Sequence, residues 1–107
     1  AQCSTVDFCI KQIIQEKLSN KNKIIVWGVG THTLRLLGSG LDLSKILFFV
    51  DSNTRYIGKK LAGIEIKQPN DIKEDVPILI STYSYQKEIN HQIRKILKLN
   101  NEIIVLY

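Results

Sequence analysis

Methionine is missing from the 107 residues, cysteine and proline occur twice each, and tryptophan once. Two cysteines cannot supply a disulfide framework. Cys3 and Cys9 also lie six apart, which fits neither a CxxC redox pair nor half of a zinc site. Cys9 reads as a small core residue of an N-terminal helix. Long apolar runs are also lacking: the longest, Ile46-Leu47-Phe48-Phe49-Val50, has the length of a strand and falls far short of the ~20 residues that span a bilayer. Aromatic residues make up only 7%, and they do not interleave with a basic stripe as in a nucleic-acid platform. No signal peptide, lipidation motif, internal repeat or low-complexity tract is visible. The missing initiator methionine leads us to expect a domain cut from a longer cytoplasmic protein, with neighbouring domains as partners and neither nucleic acid nor membrane among them.

What is present is globular. Hydrophobic residues make up 44% and charged residues 23%, and 107 residues can bury a core without metals or disulfides. The net charge of +5 is spread along the chain, with Lys59-Lys60 and Lys21/Lys23 as small clusters. Such a field suits a phosphate-bearing small ligand, although a solvated basic surface is the plainer explanation.

Periodicity outlines one domain. Val6, Cys9, Ile10, Ile13, Ile14 and Leu18 fall on one face of a helix from Thr5 to Leu18. Ile24-Ile25-Val26-Trp27 and Ile46 to Val50 are unbroken apolar runs, the signature of strands buried on both faces. Between them, Thr33 to Leu37 reads as a short helix with Leu34, Leu37 and Leu41 facing inward. Ser52 to Gly63 reads as a loop, Ile64-Glu65-Ile66 as a short strand, and Pro69 to Ile72 as a helical turn. Pro77 to Ser81 reads as a strand and Ser84 to Leu97 as a helix with Ile89, Ile93, Ile96 and Leu97 inward. The chain ends in a strand from Ile103 to Leu106. This alternation predicts an α/β, Rossmann-like three-layer sandwich of about five parallel strands in the order 3-2-1-4-5, with an extra N-terminal helix. Residues 1–20 would be that helix or linker, and 23–107 the core.

The first strand runs into Gly28-Val29-Gly30-Thr31-His32-Thr33, the strand–turn–helix setting of a phosphate-binding turn. Gly28 allows the sharp turn, Gly30 lets a phosphate approach the backbone, and the amides of Thr31 to Thr33 open a helix toward an anion. Thr33 stands where the dinucleotide fingerprint has its third glycine, which argues against classical NAD binding. Asp51, with Ser52 and Asn53 behind it, ends the second strand where a carboxylate would accept from a ribose diol; it also suits a loop cap. At the expected switch point, Ser81, Thr82, Tyr83, Ser84 and Tyr85 would line the other wall with hydroxyls and rings.

Chemistry is sparse. There is no HExxH, no GxxxxGK[ST] and no clustered His/Cys/Asp set for a metal. No serine or cysteine has an evident base, so no catalytic residue is assigned. Tyr83-x-x-x-Lys87 is a spacing common on any helix. His32 is the one histidine in the turn, and His91 falls on a polar helix face.

Gly28 to Leu37, Phe49-Val50-Asp51-Ser52-Asn53 with Gly58 and Leu61 to Ile66, and Ile78 to Ile89 together resemble blocks of a Rossmann-like module. That module is the C-terminal domain of sugar- and SAM-dependent C-methyltransferases and is also found in glycosyltransferase-associated proteins. The resemblance implies an accessory domain of a transferase that holds a nucleotide, nucleotide-sugar, NAD, SAM or similar phosphate ligand at the Gly28–Thr33 turn. A ligand-free structural domain and a fragment of an NAD-dependent oxidoreductase are the alternatives.

Overall fold

Ile24–Trp27 (β1) is the hub of the fold, and all four residues are buried. The computed structural model describes residues 12–38, 40–82 and 85–105, with Thr31 and His32 described in backbone only. β1 pairs in parallel with Ile46–Val50 (β2) on one side and Ile78–Ile80 (β5) on the other. With both edges and both faces covered, each of its apolar side chains contributes about 1.5–3 kcal/mol of burial.

Among the described residues, six strands form the sheet. β3 is Lys60–Leu61, β4 is Ile64–Lys67 and β6 is Ile103–Val105, and the order is β3-β4-β2-β1-β5-β6. The strands expected from sequence are β4, β2, β1, β5 and β6 in that spatial sequence, and β3 is an additional edge strand that the expected order 3-2-1-4-5 lacks. A strand lies inside the segment expected to be a loop, and β3 runs antiparallel to β4, so the sheet is mixed although mostly parallel. The cause is local. Ala62 and Gly63 both adopt positive φ, 52° and 82°, which is the turn that folds a two-residue hairpin.

Alternation along β1 sends Ile24 and Val26 to one core and Ile25 and Trp27 to the other. Residues 12–18 form a helix (α1) that packs Ile14 and Leu18 on the first face, where α2 (Thr31–Gly38) adds Leu36. On the opposite face lie Ile89 and Ile93 of α3 (Gln86–His91 with a wider turn at Gln92–Ile96). The expected start of α1 and the two cysteines lie outside the described residues. Between β1 and β2 the register slips: Ile24 faces Ile46, but Ile25 faces Phe48. The extra residue, Leu47, bulges out and is exposed inside an otherwise buried strand.

Two helix faces differ from expectation. In α2, Leu34 is 56% exposed, while Thr33 and Leu36 are buried at 1% each. α2 ends in a left-handed cap: Gly40 has φ +108°, and the Leu41 amide donates to the Leu36 carbonyl at 3.0 Å, with both leucines in the core. In α3, Ile96 is exposed because the π turn, closed by the Leu97 amide on the Gln92 carbonyl at 2.8 Å, fits one more residue than an α turn. Leu97 packs in its place. Ser84, the expected start of this helix, lies outside the described residues.

Lys98 then takes φ 56° in an exposed position, and the Leu99 amide returns to the Ile93 carbonyl at 2.9 Å. A left-handed lysine costs about 1–2 kcal/mol, which glycine would relieve at some entropic cost. Lys98→Gly is therefore expected to stabilise the protein by about 0.5–1 kcal/mol in urea denaturation. A loss of stability would contradict this account of the helix end.

Candidate functional site

The strand order reverses beside β1. β2 lies on one side and β5 on the other, so the connections leaving β1 and β5 part and open a cleft at their carboxyl ends. The cleft measures about 460 Å³, within the range of about 300–1,000 Å³ usual for small-molecule sites. Trp27 forms part of its wall; Gly28, Val29, Gly30 and Thr33 lie on one side, Asp51, Ser52 and Asn53 on a second, and Ser81 and Thr82 on a third.

Of the thirteen site residues expected from sequence, the described structure thus brings together ten of these positions, counting Tyr85, which also lines the cleft. Thr31 is a residue of α2, and so is His32, but their side chains lie outside the described part. Tyr83 is outside the described residues altogether. Tyr56, Glu88, Ile89 and Gln92 also reach the cleft, and sequence reasoning missed them. A signal existed for Tyr56, the one aromatic ring in the segment Ser52 to Gly63. Glu88 and Gln92 are four apart on one helix, but nothing local distinguishes them from a solvated face.

A small set of hydrogen bonds fixes the turn. Gly28 has φ +116°, and its amide donates to the Val50 carbonyl at 2.7 Å. A methyl group there would stand 2.5 Å from Ser81 Oγ. Thr33 fills the space that a third glycine would leave. Its hydroxyl donates to the Gly28 carbonyl at 2.6 Å, and its oxygen lies 2.9 Å from Ser81 Oγ. Ser81 Oγ also lies 3.0 Å from the Trp27 carbonyl, to which it donates. One threonine thereby joins the start of α2 to the ends of β1 and β5.

Asp51 is engaged on both oxygens. Oδ2 accepts from the Val29 amide and Oδ1 from the Asn53 amide, each at 2.8 Å. Asn53 Oδ1 in turn accepts from the Arg55 amide at 3.0 Å, and the Asn53 carbonyl from the Tyr56 amide at 3.1 Å. The loop that carries Tyr56 is therefore shaped by the same carboxylate that grips the glycine turn. A carboxylate has about four acceptor positions, so Asp51 keeps capacity for a ligand hydroxyl. Gly30 differs from Gly28: its φ is ordinary, and a Cβ there meets no described atom within 4 Å. Nothing among the described atoms requires glycine at this position.

The charges sort unevenly. Among the described residues, Asp51 and Glu88 line the cleft, and no lysine or arginine does. Among the described residues, Ser81 has carbonyl and hydroxyl partners and no base. No group of three or more metal-ligating side chains occurs among the described residues. Outside the cleft, the Asp42 carboxyl is held below the usual carboxylate range by the Ser44 hydroxyl and amide, which donate to it at 2.8 and 2.9 Å. It caps the turn Leu43–Lys45 that leads into β2.

Residues 20–105 match the model of the C2185-like N-terminal domain family. The chain belongs to that family. No curated protein matches it. The resemblance to the C-terminal module of C-methyltransferases is thereby overturned, since the matching family is a different, N-terminal one. The blocks behind that resemblance are ones this kind of sheet imposes. A glycine at positive φ turns the chain off β1, and an aspartate at the end of β2 clamps that turn. No helix among the described residues is long and apolar enough to cross a membrane.

Proposed function

We propose that this C2185-like domain binds a small polar ligand of nucleoside or nucleotide type in the cleft between β1 and β5. The observation that carries the reading is the cleft itself. It sits at the switch point of a mostly parallel sheet, where ligands of such sheets bind, and it combines ring faces with hydroxyl acceptors. Tyr56 and Tyr85 offer surfaces for a base; Tyr85 is 63% exposed, as an unpaired stacking partner would be. Asp51 offers acceptor positions to vicinal hydroxyls. The free space over Gly30 gives glycine a reason that the fold does not.

Backbone amide shifts in a titration with adenosine, uridine, NAD and UDP-glucose test this. Val29, Gly30, Asn53, Thr82 and Tyr85 are expected to shift with at least one of them at millimolar concentration. Gly30→Val is expected to keep the fold and lose those shifts, because its side chain enters open space. If no ligand moves these amides, binding at this cleft is wrong. The hydrogen bonds that Asp51, Thr33 and Ser81 make within the turn favour a second reading for that outcome: a ligand-free domain in which the turn serves only the fold.

A further inference from the structure

A second cleft of about 360 Å³ adjoins the first and shares Val29, Gly30 and Tyr56 with it. Its other lining residues among those described are Lys59 and Lys60 and the apolar Leu34, Leu61 and Ile66, with no acidic residue among them. The two clefts therefore divide charge between them, carboxylates in one and ammonium groups in the other, across a ridge bare of side chain at Gly30.

We infer that the pair of clefts takes one elongated ligand, with a hydroxyl-bearing ring in the first cleft and a phosphate or diphosphate tail crossing Gly30 to Lys59 and Lys60. The inference rests on the reading of the first cleft given above and moves the anionic group off the glycine turn. Three observations carry it. The Val29 amide, which a turn-bound phosphate would use, is taken by Asp51, whose own charge repels an anion. The two lysines are held in place through their backbone. The Lys59 amide donates to the Tyr56 carbonyl at 3.1 Å, its carbonyl accepts from the Ile66 amide at 2.9 Å, and the Lys60 backbone stands opposite that of Glu65 in the β3–β4 ladder. Finally, neither lysine is in an ion pair among the described residues, so both charges remain available to a ligand.

The test compares uridine with UDP, and adenosine with ADP, on the wild-type chain and on the double variant Lys59→Gln/Lys60→Gln, by calorimetry at low and moderate salt. In the wild type the diphosphate is expected to bind about tenfold tighter than its nucleoside, as charge-assisted hydrogen bonds would give. That advantage should shrink with added salt. In the variant it should vanish while the nucleoside affinity stays unchanged. A diphosphate no tighter than its nucleoside, or an advantage that survives in the variant, overturns the lysine subsite and leaves the first-cleft reading standing. Binding of neither nucleosides nor diphosphates overturns both.

Discussion

Gly28→Ala is expected to cost about 3–4 kcal/mol, a large share of the roughly 5–15 kcal/mol by which a domain is stable. Two effects add. An alanine at φ +116° is strained whatever surrounds it, and its methyl would meet Ser81 Oγ at 2.5 Å. These can be separated. Ser81→Ala alone removes the hydroxyl that donates to the Trp27 carbonyl and lies against Thr33, a loss of about 1–2 kcal/mol. In the Gly28→Ala background the same change removes the collision, since the next atom, Ser81 Cβ, is 3.9 Å from the new methyl. Ser81→Ala should therefore be neutral or stabilising there. A urea-denaturation double-mutant cycle reads this as a coupling of about 1–2 kcal/mol. Additive costs would mean that backbone strain, and not the contact, makes Gly28 indispensable.

Asn101→Asp is expected to be as severe, through electrostatics and not shape. Asn101 is 5% exposed, and its Nδ2 donates to the carbonyls of Glu74 at 2.7 Å and Val76 at 2.8 Å. Both donors are used to tie the approach to β5 to the approach to β6. An aspartate of the same shape would turn a carboxylate oxygen toward two carbonyl oxygens, at a cost of about 3 kcal/mol or more at neutral pH. Burial and those oxygens would raise its pKa in the folded state above about 3.9, the value in an unfolded chain. The deficit against wild type is then full above the raised value, shrinks as pH falls through it and levels off below the unfolded one. It never closes, because a protonated carboxyl has one hydrogen for two acceptors. Midpoints of urea denaturation for both proteins at pH 7 and pH 4.5 measure this. A difference independent of pH would show that the charge is not the cause.

The parts of the fold legible in the sequence are those whose signal is local and continuous. β1 and β2 are unbroken apolar runs because both of their faces are covered, and the polar linkers around them mark their ends. β3 is hidden for the opposite reason: two residues, one of them lysine, carry no period, and Ala62-Gly63 is not the Asn-Gly pair that signals such a hairpin. α2 holds leucines at 34, 36 and 37, so eight residues cannot say which of them faces inward; the packing of Leu36 decides it. At the site, Gly28 and Asp51 are legible because turn and strand end fix their positions. The task of Thr33 is not, because its partner Ser81 is 48 residues away. Nor are Glu88, Gln92 and Lys59, which join the clefts only once α3 and the β3–β4 hairpin have folded beside β1 and β2.

The central place of β1 also bears on how the chain leaves the ribosome. Its partner on one side, β2, follows about twenty residues later, but β5 starts at Ile78, about fifty residues after Trp27. At about 5–20 residues per second, roughly 3–10 s separate the two during synthesis. Through that interval Ile24–Trp27 has one edge open to a second nascent chain. A local hairpin cannot close that edge, so early translation is when this domain is most exposed to mispairing.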